Sequence, residues 1–480
     1  EATRSLSLAA PNGQTAAILA AAKGHLDCVR FLISIGGGTG LMDILRRHPD
    51  RLESRYPALL TASPPLLDLP TKQAWLVWRL EAVVGGAGAA ALSLVSHRGN
   101  VLAGLCAQLG VHETTGHNTD AAQARGLDIR FEGEAGSGDG LRREWFEATV
   151  GEILDPQRGL FTSKDGYRTL QPSPHSATTA GADHLSHFAL LGRIAGLALY
   201  HREPLNASLS NAFIKAALGY AINPADLAAV DPDIESGRMK FVRDSTTDEE
   251  LADADLVFED DSNEAALVFE SKEEQQPSVE LKAGGAGIAV TQANKDEYLQ
   301  LLAQHRLVGA IGAQVEAFRN GLGVFLDDDL RATLRACCSV ADIQLLLCGV
   351  KEIDVDNWEA SAKYRGGLTA ESELVAWFWA VVRGMSAEER ARLLQFCTGS
   401  VRAPATGFES LMGYSGQQQR FTVELLPGAL GQDAGRLPTA STCFNTLKLC
   451  AYGSAEVLGE KLRQAMALAQ GFDEVAVAVG

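Results

Sequence analysis

An α+β protein is predicted from three features of the chain. Apolar residues recur at three- and four-residue spacing in Lys72–Val84 (KQAWLVWRLEAVV) and His184–Tyr200 (HLSHFALLGRIAGLALY), which marks helices. Alternating segments such as Leu127–Glu134 (LDIRFEGE) read as strands. Near the C-terminus, Leu437–Leu449 (LPTASTCFNTLKL) places one thiol in a polar turn that leads into an apolar strand.

That last stretch organises the rest. Pro438 biases Leu437 toward extended geometry, and Ser, Thr and Asn bond their own backbone in turns. Cys443 is therefore expected on a shaped turn beside a strand, with Leu437 and Phe444 shaping the loop. A buried, inert thiol is the commonest condition of a single cysteine. Local composition leaves that reading open beside a reactive one.

The surrounding motifs add to this. LPTASTCFNTLKL resembles the catalytic loop of the HECT ubiquitin ligases, L-P-x-x-[HS]-T-C-F-N-x-L. Upstream, Leu394–Pro404 (LQFCTGSVRAP), Gly407-Phe408 and Phe421–Glu424 (FTVE) resemble further motifs of that family, as do Tyr452 and Gly471-Phe472 downstream. The likeness runs from about Ser93 to the end of the chain. It implies a bilobal α+β domain: a larger, mostly helical N-lobe over 93–348, a hinge at 349–352, and a smaller α/β C-lobe over 353–480 that carries Cys443. Within the N-lobe, about 240–330 is implied to be a small subdomain that docks a ubiquitin-conjugating enzyme, with Tyr298 and, less directly, Leu256 as its contacts; a role for Tyr298 as the core anchor of its helix stays open beside that.

Whole-chain properties bound the function classes. The length suits about two to four domain-sized units. No apolar run reaches the roughly 18–20 residues of a membrane span, so no membrane partner is expected. A net charge of -18 argues against nucleic acid or an anionic bilayer as the main partner. Eight Cys without a CxxC pair fit a reducing compartment, and a cytoplasmic or nuclear placement is expected. All ten His lie at or before His305, no metal-ligand spacing is present, and no cofactor is expected. The chain begins at Glu1 rather than Met, so a fragment of a longer protein is expected.

Taken in order, residues 12–37 (NGQTAAILAAAKGHLDCVRFLISIGG) resemble one ankyrin repeat, and 1–37 is assigned as a remnant of such an array. A substrate-binding role and a plain helical spacer are both open for it. Residues 38–92 read as a helical connector, with helices at Leu41–Arg46 and Lys72–Val84, ending in a small-residue linker at Gly85–Ala91. Arg98–Leu102 resembles the family's opening helix. Gly136–Gly140 precedes a helix but lacks the GKS that phosphate binding would require. Glu134, Arg143 and Glu144 read as structural ion pairs, and His184 with His187 as a packed or exposed pair rather than a metal site. Leu256–Phe258 and Leu267–Phe269 look like short strands within an acidic run.

The resemblance implies a chemistry. Cys443 accepts ubiquitin from the conjugating enzyme as a thioester and passes it to a substrate lysine, an acyl transfer. Cysteine is already a few per cent thiolate at neutral pH, which suits a site without a neighbouring base. Thr442 and Asn445 are candidates to position backbone or oxyanion groups, and Arg402 to favour the thiolate or to form a C-lobe ion pair. Ser441 stands where many relatives have His. Asp473 and Glu474 are candidate acids for the lysine step. Cys450 is taken as packing. Two other readings stay open: a catalytically silent scaffold of HECT-like and ankyrin-like parts, and a cysteine hydrolase, which would need a His brought close to Cys443.

Overall fold

The structure is a computed structural model that describes residues 15–34, 39–62, 64–84, 92–109, 111, 127–134, 139–163, 169–260, 278–350, 352–398, 400, 402–404, 406–413, 417–426 and 436–477. The chain packs as two units. One comprises Glu1–Leu154, Ala189–Ala207 and Asn320–Gly480; the other comprises Asp155–Phe188 and Ser208–Arg319. The division places both sides of the expected hinge at 349–352 in the first unit. The expected docking segment, 240–330, falls mostly in the second.

The first unit opens on a helical hairpin, Ala16–Ala22 and Leu26–Ser34, turned at Gly24 with φ +73°. Ala17, Ala21 and Val29 are buried. The hairpin packs on the next helix, Thr39–Arg47. A longer helix, Leu69–Val84, buries Trp75, Leu76 and Leu80. Its Lys72 Nζ lies 2.8 Å from Asp342 Oδ2 on the helix Val340–Cys348, which leads into the expected hinge. The expected linker at 85–91 lies outside the described residues.

Two strands, Leu92–Ser96 and Leu127–Phe131, pair in parallel with Leu94 opposite Ile129. Arg98–Leu102 does not form the expected helix. His97 and Asn100 bridge across a turn instead, and the helix is only Leu105–Gln108. Gly99-Asn100 favours a tight turn over helix nucleation, which explains the difference. The helix Asp139–Ile153 follows; most of the preceding Gly136–Gly140 loop lies outside the described residues.

The C-terminal part of this unit has its own aromatic core. Trp358 stacks on Phe408 with ring centroids 4.9 Å apart, and Phe378, Trp379 and Phe421 close around it, while Trp377 is only half-buried. A four-stranded sheet lies against this core, in the order Lys363–Arg365, Thr422–Leu425, Thr446–Leu449, Thr439–Ser441. The first three strands run parallel and the last antiparallel. A long helix, Ala455–Val477, follows. The sulfur atoms of the adjacent Cys337 and Cys338 lie 3.7 Å apart, and Cys450 is buried in the aromatic core.

The second unit is centred on Phe258, Tyr298, Leu302 and Leu307. Its short ladder pairs Glu259–Asp260 with Val279–Glu280, one step beyond the expected Leu256–Phe258 strand; Val257 contributes only an isolated bridge to Ala289. Leu267–Phe269 lies outside the described residues. His184 Nδ1 lies 2.9 Å from Ser176 Oγ, and His187 Nδ1 lies 3.2 Å from the Asp183 carbonyl oxygen, so both rings have protein partners. Among the described residues, no helix is long and apolar enough to cross a membrane.

Candidate functional site

Cys443 sits at the tip of a hairpin. The strand Thr439–Ser441 ends one residue before a 3₁₀ turn, Thr442–Phe444, and Asn445 hands the chain to the strand Thr446–Leu449. Thr446 pairs with Ser441 across the hairpin. The turn closes because Asn445 takes the left-handed conformation, φ 47° and ψ 43°, which Asn tolerates better than most residues. Its backbone N–H donates to the Thr442 carbonyl at 3.2 Å.

The side chain of Asn445 is fully committed. It is 0% exposed. Nδ2 donates to the carbonyls of Met412 at 2.8 Å and Gln419 at 2.7 Å, and Oδ1 accepts from Arg143 Nη1 at 2.9 Å. Asn445 therefore ties the turn to the backbone at Met412 and Gln419 and to Arg143. Its amide has no donor left over for an oxyanion. Farther out, the Tyr452 hydroxyl donates to the Arg436 carbonyl at 2.8 Å and pins the approach to Leu437.

Arg143, read from the sequence as part of a structural ion pair, forms one with Glu203 and makes further bonds besides. From the helix Asp139–Ile153, its Nη1 reaches the carbonyls of Thr398 at 2.7 Å and Thr442 at 3.3 Å as well as Asn445, and its Nη2 donates to the Met412 carbonyl. Its Nε lies 3.4 Å from Glu203 Oε1. Thr398 ends the helix Ala387–Thr398, so Arg143 satisfies an orphan carbonyl at the negative pole of that helix. A signal for this was present: Arg143 shares a stripe with Phe146, Val150 and Ile153, all buried, and a charge on an apolar stripe needs a buried partner. Glu134 and Glu144 behave as expected, both pairing with Arg98.

Other candidates fall elsewhere. Arg402 Nη1 donates to the Cys348 carbonyl at 3.2 Å, while Val350 N–H donates to the Ala403 carbonyl at 3.1 Å. Arg402 thus ties the C-terminal part to the expected hinge, and burial lowers its pKa from the ordinary arginine value. Ser441 and Thr442 are half-buried. Phe444 is 53% exposed, so the turn aims it outward. Asp473 and Glu474 continue the helix Ala455–Val477, and their side chains lie outside the described residues.

Tyr298 requires a correction. It is 0% exposed and makes an edge-on contact with Phe258, ring centroids 5.5 Å apart, so it anchors the core of the second unit and offers no docking surface. A Tyr on the first turn of Lys295–Leu307 faces inward because the apolar stripe of that helix does. Leu256 is half-buried against the same core.

The molecule is thus an α+β protein whose C-terminal part presents a cysteine on a short hairpin turn, tied by a buried arginine to a helix of its N-terminal half. Comparison with known proteins agrees with that class. A family model, HECT-domain (ubiquitin-transferase), matches residues 147–475. The chain is 38% identical over 342 residues to the E3 ubiquitin-protein ligase HACE1 of Xenopus laevis, covering 71% of this chain and 34% of that protein. It is 37% identical over 373 residues to HACE1 of Homo sapiens, covering 78% and 38% respectively. With the E3 ubiquitin-protein ligase NEDD4 of Homo sapiens it shares 38% identity over 362 residues, 74% of this chain and 25% of that protein. The chain belongs to the HECT-domain family and spans about a third of the length of the HACE1 relatives it matches.

Proposed function

We propose that this chain is a ubiquitin transferase that carries ubiquitin as a thioester on Cys443. The observation that supports the reading most directly is the hairpin tip, where Asn445 and Arg143 hold the backbone on both sides of Cys443 within a family of ubiquitin transferases. In the first step the Cys443 thiolate attacks the thioester carbonyl that joins ubiquitin to a conjugating enzyme. A new S–C bond forms and the conjugating enzyme leaves as its own thiolate. One thioester replaces another, so the step is close to thermoneutral and needs thiolate rather than strong electrophilic activation. In the second step a neutral substrate lysine attacks the Cys443 thioester, an isopeptide bond forms, and Cys443 leaves as thiolate. The ammonium proton passes to a carboxylate, for which Asp473 and Glu474 remain the assigned groups, or to water.

Leu256, at the half-buried margin of the second unit's core, is the retained contact for the conjugating enzyme. The N-terminal hairpin is assigned to protein substrate, as the end of an ankyrin-like array. The test is a non-reducing gel after mixing with charged conjugating enzyme. A ubiquitin adduct that thiol reductant removes, and that Cys443→Ala lacks, is expected. Absence of any such adduct overturns the reading in favour of a silent scaffold.

A further inference from the structure

We propose that Arg143 is a positioning residue for the transfer step, holding the Cys443 turn in its working geometry from a helix 299 residues before Thr442 in the chain. The inference rests on the ubiquitin-transferase reading. Three observations carry it. Arg143 brackets the nucleophile: it bonds the carbonyl of Thr442, one residue before Cys443, and the side chain of Asn445, two residues after it. The same guanidinium binds Met412, whose carbonyl also accepts from Asn445 Nδ2, so arginine and asparagine share an acceptor and form one network. Finally, the cation is 5% exposed and is balanced by Glu203, which Arg142 also approaches at 3.5 Å. A buried charge with this many directed bonds has one low-energy geometry, because losing any acceptor leaves a desolvated donor.

The planar fork is essential to the arrangement. Lysine keeps the charge but cannot direct separate N–H groups at the Thr398, Thr442, Asn445 and Met412 acceptors. Arg143→Lys is therefore expected to behave almost as Arg143→Gln does, which a purely electrostatic role would not produce.

The test uses the full chain and two readouts. The first is single-turnover formation of the ubiquitin thioester on Cys443 from charged conjugating enzyme, at saturating and limiting donor. Arg143→Lys and Arg143→Gln are expected to lower the maximal rate about tenfold while leaving the half-saturating donor concentration unchanged. Asn445→Gly should do the same, and the double variant Arg143→Gln/Asn445→Gly should be no slower than the worse single variant, because both act through one turn. Gln395→Ala is the control: it cuts a neighbouring tie between the same two helices, Gln395 Nε2 to Glu147 Oε1 at 2.8 Å, and should leave the rate unchanged. The second readout is hydrogen exchange of the amides at 442–446, expected to quicken about tenfold in the Arg143 variants while amides in Glu373–Gly384 stay protected. This readout needs no partner. If the wild-type chain forms no adduct, the transferase reading falls, and exchange alone decides whether Arg143 holds the turn. Unchanged exchange at 442–446, additive effects in the double variant, or full rescue by lysine overturns the proposal.

Discussion

Asn445 shows how much one residue of the site can carry. It combines a left-handed backbone with three buried side-chain hydrogen bonds. Asn445→Ala is expected to cost about 3 kcal/mol, from the left-handed strain and from the partners left without bonds. Asn445→Gly removes the strain but not the lost bonds, so it should cost about 1 kcal/mol less. Denaturant unfolding of both variants checks the difference; equal losses would mean that the backbone conformation contributes nothing. The turn itself was legible from Pro438 and the Ser, Thr and Asn around Cys443, because turn chemistry is local. The partners of Asn445 were not, since Met412, Gln419 and Arg143 meet it only through the tertiary fold.

Among the elements, the helix Leu69–Val84 is fastened to the helix Val340–Cys348 through Lys72 and Asp342. Burial pushes the Asp342 carboxyl pKa up, but the hydrogen bond from Lys72 and the backbone N–H of Ser339 outweigh it and hold the pKa below the ordinary value. A depressed folded pKa adds stability that is present above the unfolded value of about 3.9 and is lost as pH falls through the folded value. The thermal midpoint should therefore drop more steeply below about pH 4 in the wild type than in Lys72→Met; parallel curves would sink this assignment. In the aromatic core, Trp358→Ala should cost about 3–5 kcal/mol in denaturant unfolding, because Trp358 is fully buried and stacked on Phe408. The helices read at Lys72–Val84 and His184–Tyr200 were legible to within a few residues, observed as Leu69–Val84 and His184–His201, because their apolar periodicity is strong. Arg98–Leu102 was not, because a Gly-Asn turn overrode the likeness to a helix.

At the scale of the molecule, the corrected place of Tyr298 separates stability from partner binding. Tyr298→Ala should lower stability by about 3–5 kcal/mol, read by unfolding, because it empties the centre of the second unit's core. Leu256→Ala, at the margin of that core, should leave the fold largely intact and slow the charging of Cys443 by the conjugating enzyme. Wild-type charging by Leu256→Ala would remove Leu256 from the docking surface. The ordered motifs around Cys443 made the family legible across most of the chain. The inward face of Tyr298 was not visible in them, because a motif records residue type and spacing but not which side of a helix meets the core.

The sequence alone determined the α+β class, the turn around Cys443, the helical hairpin at residues 16–34 and the membership in a ubiquitin-transferase family. These follow from local turn chemistry, short-range periodicity and long ordered motifs, all of which act between near neighbours or survive as residue patterns. Only the tertiary structure decided that Arg143 grips the turn, that Arg402 ties to the hinge, that Phe444 faces solvent and that Tyr298 does not. Each of those depends on which distant backbone comes within hydrogen-bonding or packing distance. The close packing of the whole fold sets that distance, and no local rule does.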